Sequence, residues 1–505
     1  MPFKGFIAAS SPISAPSLTE IVRAAFPIER AAEGCPAVSS WAFGPSCMPL
    51  YRSFFTIAPV PELPMTSSAK AKIVVLDDDP TGSQTVHSCL LLMRWDVETL
   101  RLGLADAAPI FFVLTNTRAL TPDRASERTR DVCRNLRTAI AAEGVEEFLV
   151  VSRSDSTLRG HYPLETDAIA DELGPFDAHF LTPAFFEGGR VTRDSIHYLH
   201  VDGQPVPVHE TEFARDSVFS YRHSYLPDYV EEKTNGRIRA ADVERFVLAD
   251  VRGGCKERLR KLQDNSCGVV DAETQADLDR FATDVLAAAD AGKRFLFRSA
   301  ASLLTSLAQL GPQPVPPAQM SQYRPSERPG VVLVGSHVKK STEQLAELLQ
   351  LPDVEGLEVD VVRLRDCPGE RDALLQDIRD RLTGVRDTGS TPVVYTSREE
   401  LTFASVRERL DFGERVSTFL MDVVRALPAD IGFLISKGGI TSNDTLSTGL
   451  SLRSARLLGQ ILPGCSLVRT PGDHPQLPNL PVVLFPGNVG DARGLVDAYQ
   501  RLQPN

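Results

Sequence analysis

From residue 72 onward, short runs of apolar and β-branched residues alternate with longer stretches in which apolar positions recur at helical spacing. The short runs, at 73–76, 110–114, 148–151, 295–297, 331–334, 393–395, 433–435 and 482–485, predict strands. The stretches 124–143, 276–291, 341–350 and 414–427 predict amphipathic helices. Strands that are apolar throughout are covered on both faces, so the predicted fold is α/β, with two domains, each a mainly parallel sheet flanked by helices. A proline-rich interruption at 311–329 sustains neither element and reads as a semi-rigid linker. It separates a body at 71–310 from one at 330–505. No repeat of 20–50 residues points to a solenoid.

Composition narrows the class. A chain of 505 residues, 42% hydrophobic and 24% charged, is globular, has room for two to four domains, and is neither collagen-like, coiled-coil nor wholly disordered. The net charge of -12 argues against a nucleic-acid backbone as partner, because that affinity is built from clustered Lys and Arg. Eight scattered cysteines without C-x-x-C or Cys/His zinc spacing read as reduced thiols. No apolar run is long enough for a membrane span and no basic leader precedes a short apolar core, so a soluble, cytoplasmic protein is expected. Residues 1–70 stand apart, rich in Ser, Pro and Ala, and read as a disordered tail, an organelle-targeting leader or an extended gene model with Met65 as the true start. Organellar import through that extension stays open.

The chemistry gathers where predicted strands end. After the first strand come Asp77, Asp78 and Asp79, then Pro80-Thr81-Gly82, and the carboxyl end of a parallel strand is where open α/β sheets place ligands. Clustered acids raise one another's pKa and serve a metal, proton abstraction or a polyhydroxylated ligand; the plain alternative is an Asx-type turn. After 148–151 come Arg153, Asp155, Ser156, Thr157 and Arg159 with Gly160. Guanidinium groups match carboxylate or phosphate, and Asp with Ser and Thr suits sugar hydroxyls; the alternative is an interdomain ion pair with Ser156 as a helix cap. A further loop, 181–192, adds Gly188, Gly189 and Arg190. His197, His200, His209 and His223 lack metal-like spacing, and no metal cluster is assigned.

In the second body, three glycine-rich turns follow strands: Gly335-Ser336-His337, Lys437-Gly438-Gly439 running on to Thr441, and Pro486-Gly487-Asn488 running on to Gly490. A strand–turn–helix unit points backbone amides at an anion, and three in one domain suggest a nucleotide cradle. Lys437 either neutralises phosphates there or is solvated. Neither a P-loop nor the protein-kinase motif set occurs.

Taken together, these motifs resemble the four-carbon acid sugar kinases over about 72–500. The family's D-D-x-T-G is met by Asp78-Asp79-Pro80-Thr81-Gly82, its D-S-T-L-R-G by Asp155-Ser156-Thr157-Leu158-Arg159-Gly160, and its P-A-F-x-x-x-G-R by Pro183-Ala184-Phe185 with Gly189 and Arg190. Its G-S, G-G-x-T and P-G-N-x-G turns are met at Gly335, Gly438 and Pro486. Pro80 stands where relatives often carry an aromatic, and Asp77 adds a third acid; both touch the substrate side. The resemblance implies a sugar-binding domain, a nucleotide-binding domain, and ATP with Mg²⁺ used to phosphorylate the terminal hydroxyl of a tetronate or 3-oxo-tetronate in carbohydrate catabolism. Under it, Asp79 orients or deprotonates the hydroxyl, Asp78 and Asp155 bind hydroxyls, and Arg153, Arg159 and Arg190 meet the carboxylate or the transferring phosphoryl group. The transfer takes place in a cleft that the linker allows to close. The expected partners are the acid sugar and ATP, with no nucleic acid or membrane, and a homodimer is left open. A Mg²⁺-dependent hydrolase or aldolase and a non-catalytic acid-sugar sensor are the alternatives.

Overall fold

The expected strands form, and the sheets they build run into one another. The structure, a computed structural model, describes residues 71–79, 82–398, 401–487 and 489–504. The readings placed on residues 1–70, and on Pro80, Thr81 and Asn488, lie outside the described residues. The strands of the first body are β1 (Lys72–Asp77), β2 (Leu90–Leu92), β3 (Ile110–Leu114), β4 (Phe148–Arg153), β5 (Ala178–Thr182), the separate antiparallel trio β6 (Arg190–Arg193), β7 (Ile196–Val201) and β8 (Gln204–Pro207), then β9 (Glu244–Phe246), β10 (Ser266–Val270) and β11 (Phe295–Ser299). Those of the second are β12 (Val331–Val334), β13 (Val354–Val359), β14 (Thr391–Thr396), β15 (Leu434–Lys437), β16 (Ser454–Leu462), β17 (Cys465–Arg469) and β18 (Pro481–Phe485).

All but the trio belong to one 15-stranded sheet, in the order β13-β14-β12-β15-β18-β17-β16-β2-β3-β1-β4-β11-β5-β10-β9. The stretch from β2 to β9 is parallel throughout, as is the stretch from β13 to β18. The antiparallel strands β16 and β17 join them. The fold is α/β, and its two mainly parallel halves are continuous through the β2–β16 pairing. Residues 68–505 accordingly group as one unit.

Alternate residues of each strand serve different cores, as a sheet covered on both faces requires. Ile73 and Val75 pack in one cluster, Val74 and Leu76 in another. Val331 and Leu333 part from Val332 and Val334 in the same way. The helices fall close to their expected places at Pro122–Glu143, Gln275–Ala289 and Lys339–Leu348. The fourth, Val406–Arg425, begins two turns earlier than expected because Ser405 caps it, its hydroxyl accepting from the Glu408 amide, ahead of two turns rich in charged residues.

The proline-rich stretch is packed down. Gln313 exchanges hydrogen bonds with the backbone of Gln460 in β16, and the 3₁₀ turn Pro317–Tyr323 buries Met320 in the second core. Beside it the seam is tied by Arg456, bidentate to Asp106, and by Arg453, which donates to Thr99.

Candidate active site

The first cluster is built from side chains at the carboxyl edge of β1, β3 and β4. Arg118 is its centre, set by the 3₁₀ turn Thr117–Ala119 that follows β3, with Asn116 in the left-handed region before it. Its guanidinium donates through Nε and Nη2 to both oxygens of Asp78 at 3.1 and 2.6 Å, and through Nη1 to Asp79 at 3.3 Å. Nη1 also lies 3.7 Å from Asp155. These acids hold Arg118 protonated more firmly than usual although it is buried. The sequence reading missed Arg118, which stands alone in Leu114-Thr115-Asn116-Thr117-Arg118. The signal available was its position just past a strand's carboxyl end.

The three predicted acids are not equivalent. Burial pushes the Asp78 carboxyl up, against the pull of Arg118. Burial also works on Asp155, yet Arg118 and Arg159 together hold its carboxyl well below the usual range. Asp155 accepts from the Thr157 amide at 3.0 Å, from the Thr157 hydroxyl, and from Arg159 Nε and Nη2 at 3.0 and 3.1 Å. Within its own turn Oδ2 therefore takes three hydrogen bonds and Oδ1 one. Asp79 is the most open, with a side chain 25% exposed against 2% for Asp78 and 13% for Asp155. Asp77, wholly buried, accepts from Arg153 Nη1 at 3.2 Å, and burial pushes its carboxyl up to about 7, offset only in part by Arg153.

The other predicted residues of this side close around the same edge. Ser156 is buried, and its carbonyl accepts from His197 Nε2 at 2.8 Å, while His197 Nδ1 meets the Thr192 hydroxyl. Burial pushes His197 down to about 4, so it is a neutral prop for the Asp155 turn. Arg159 lies over the Phe213 ring and Arg190 over Phe185, at 4.9 and 6.0 Å from the centroids. Gly189 turns the chain at φ +71 ahead of β6, and Arg190 donates to the Gly188 carbonyl.

The second cluster is built from backbone. Gly335, Gly438 and Gly487, each just past β12, β15 and β18, come together. A Cβ on Gly335 would stand 2.2 Å from the Thr441 hydroxyl, and one on Gly438, whose φ is +121, would stand 3.0 Å from that hydroxyl and 3.1 Å from Ser336 Cβ. A Cβ on Gly487 would meet the Ser336 hydroxyl at 3.4 Å. Such a cradle of small turns, with two helices starting from it, fits a chain of phosphates. His337 and Gly439 lie at its open rim, while Gly490 sits over Gln344.

Lys437 is placed otherwise than in contact with phosphate. It is 0% exposed, and its ammonium donates to the carbonyls of Pro486 and Gly487 at 2.6 and 3.1 Å and lies over the Phe485 ring. Burial pushes it down to about 7. Its role is to hold the third turn, because a lysine with no path to water saturates carbonyls. Two further supports escaped the sequence reading. Arg398 donates to the carbonyls of Ser336 and Thr396, and the Gln344 amide donates to those of Val489 and Asp491.

The β16–β17 turn touches a loop from each half. A Cβ on Gly464 would stand 3.1 Å from Val489 in the third turn and 3.5 Å from the Gln84 side chain, in the loop that leaves Asp79. The acids of the first cluster are engaged by arginines. Among the described residues no group of three or more His, Cys, Asp or Glu is arranged to hold a metal ion. Among those residues, too, no helix is long and apolar enough to cross a membrane.

Comparison with known proteins agrees with this division. Residues 73–307 match a family described as a sugar-binding N-terminal domain and residues 331–495 one described as a nucleotide-binding C-terminal domain. A D-erythronate kinase of Heliobacterium modesticaldum (strain ATCC 51547 / Ice1) is 28% identical over 223 residues, 42% of this chain and 47% of that protein, so the match spans about half of the relative's length. A crystal structure from Salmonella typhimurium LT2 superposes with a TM-score of 0.62 at 18% identity, over 85% of this chain and 98% of the other. Haemophilus influenzae protein HI1011 does so with 0.58 at 18% identity, over 85% and 100%, and both show the shared fold. With a sugar-binding half and a nucleotide-binding half in the order that the motifs require, the chain belongs to the four-carbon acid sugar kinase family.

Proposed function

We propose that the protein is an ATP-dependent kinase that phosphorylates the terminal hydroxyl of a four-carbon acid sugar, a tetronate or 3-oxo-tetronate. The observation that carries the reading is the pairing, on one continuous sheet, of an edge rich in charged side chains with an edge lined by glycine turns, Gly464 lying between Gln84 of the loop after the first and Val489 of the third turn of the second. Phosphoryl transfer asks for this pairing: positioning and charge neutralisation around the transferred group, and an oriented hydroxyl.

ATP supplies the phosphoryl group when bound, and the turns at Gly335, Gly438 and Gly487 would hold its phosphates. No ligand for Mg²⁺ is assigned to the chain. Asp79 takes the acceptor hydroxyl's proton or orients it, because it is the most open acid, whereas Asp155 is fixed in its anionic form by Arg118 and Arg159. Arg118 keeps the carboxylates in register. Arg190 and Arg159, each stacked on an aromatic ring, face the anionic parts of the substrate. The relative named as a D-erythronate kinase supports a tetronate as the first acid to try.

The test is ADP release from Mg·ATP against D- and L-erythronate, D- and L-threonate and 3-oxo-tetronates. Acid-dependent release is expected, with phosphate on the terminal hydroxyl. In Asp79→Asn, kcat falls about 10²- to 10⁴-fold with ATP binding intact. ATP binding without turnover of any acid would overturn the substrate class, and full turnover by Asp79→Asn would overturn the base.

A further inference from the structure

The last row of the first half-sheet is polar from strand to strand. Asp77 of β1 is in register with Arg153 of β4, Arg153 with Ser299 of β11, and Ser299 with Thr182 of β5. Neighbours in register on parallel strands point to the same face, about 4.8 Å apart. That face is the one covered by the helices Gln275–Ala289 and Ala301–Ala308. Val75, Val151, Phe297 and Phe180, two places earlier on the four strands, share a core with Phe281, Leu303 and Leu304.

Every member of the row is buried, and every one carries a polar atom without a hydrogen-bond partner: Asp77 Oδ2, Arg153 Nε, Ser299 Oγ and Thr182 Oγ1. Eleven such atoms occur among the described residues, and Ser83 Oγ, Arg190 Nε and Arg298 Nη2 bring the share at this one edge to seven. Buried polar groups are almost always satisfied, so a concentration like this marks a place kept for something else. Two residues beyond Ser299, the helix Ala301–Ala308 starts with no side chain capping its first-turn amides. Ala300 and Ala301 pack against Phe185, the ring under Arg190.

The row has a polarity. At the Thr182–Ser299 end there are hydroxyl donors, a positive helix end and Arg190; at the other end stands the Asp77 carboxyl. Taking the acid-sugar kinase reading as its basis, we propose that the row seats the substrate with its carboxylate on Ser299, Thr182 and the first turn of helix Ala301–Ala308. The neighbouring hydroxyl donates to Asp77 Oδ2 and accepts from Arg153 Nε. The terminal hydroxyl is thereby directed along the row toward β1 and Asp79, on the side from which β2 and β16 lead to the nucleotide-binding half. The Thr182–Ser299 end offers a carboxylate two hydroxyls and the uncapped first-turn amides of a helix, whereas at the Asp77 end it would lie against a second carboxyl group, and this difference in donors fixes the direction.

The test uses Thr182→Val and Ser299→Ala in the full chain, with steady-state kinetics and calorimetric titration of the acid without nucleotide. Each substitution is expected to raise KM for the acid about ten- to a hundredfold, the usual worth of a hydrogen bond to a charged group, with kcat and KM for ATP unchanged. Acid binding in the calorimeter weakens by the same factor. A lower melting temperature with KM and acid affinity unmoved would assign the row to internal water and overturn the proposal. If the wild type shows no acid-dependent turnover, the kinase reading fails instead. The titration then still decides the row, supporting it if the acid binds the wild type tightly and Thr182→Val weakly, and overturning it if the two bind alike.

Discussion

On the proposed function, the acid cluster and the glycine cradle are two answers to the same problem, holding an anionic ligand, by opposite means. At the first, guanidinium and carboxylate groups lie at the edge and neutralise each other, as Arg118 does with Asp78, Asp79 and Asp155. At the second, the glycine turns present bare backbone, and the long polar side chains are turned to the carbonyls of the turns, to which Lys437, Arg398 and Gln344 donate. The difference teaches where a charged residue can be expected to act. In the first cluster a lost charge leaves buried partners uncompensated; in the second a lost charge loosens a turn.

The comparison breaks most sharply at Arg118. Removing one partner of a buried ionic network costs about 3–5 kcal/mol, since the remaining charges keep their desolvation penalty without compensation. Arg118→Met should lower stability by about that amount in urea unfolding, with acid-dependent turnover lost. A destabilisation of less than about 1 kcal/mol would mean that Asp78 and Asp79 find other partners, and the cluster would then not be organised around Arg118.

The same contrast governs what was legible. Asp155 to Gly160 could be read because its chemistry is contiguous, a carboxylate, two hydroxyls and a guanidinium on one turn. Arg118, Thr182 and Ser299 belong to no contiguous motif of this kind: Arg118 meets its acids from the turn after β3, and Thr182 and Ser299 stand in register with neighbours on other strands. Lys437 was left open between phosphate and solvent for a related reason: its place beside two glycines matches a phosphate contact, and only burial shows that its ammonium donates to the third turn. The strands themselves were visible from apolar runs. The seam was not, since β2 has three residues and pairs with β16 some 360 positions later. No local pattern encodes that partner.

Gly335 sharpens the comparison from the backbone side. A methyl at this position must displace the Thr441 hydroxyl, 2.2 Å from where the Cβ would stand, and overpacking of this kind costs about 1–3 kcal/mol. Gly335→Ala should therefore raise KM for ATP about tenfold or more, with calorimetric affinity for the acid unchanged. Loss of acid binding of equal size would show that the two clusters are coupled through the seam.

The smallest effect is the most specific, because the two clusters bury titratable groups of opposite sign. The Asp77 carboxyl, pushed up to about 7, keeps a proton in the folded protein that the unfolded chain has released above its ordinary value of 3.8. Wherever the folded state binds the extra proton, stability falls as pH rises, so Asp77 costs stability progressively from about pH 4 to 7. Lys437, pushed down to about 7 from 10.5, has lost a proton that the unfolded chain still holds. Its contribution therefore rises with pH from about 7 to 10. Asp77→Asn should gain on the wild type by at least about 1 kcal/mol between pH 4 and 7, and Lys437→Met should lose ground by a similar amount between pH 7 and 10. Unfolding measured across both windows checks the pair. Parallel slopes for wild type and Lys437→Met above pH 7 would mean that the ammonium stays charged behind the third turn, and the cradle would then carry a fixed positive charge instead of resting on backbone alone.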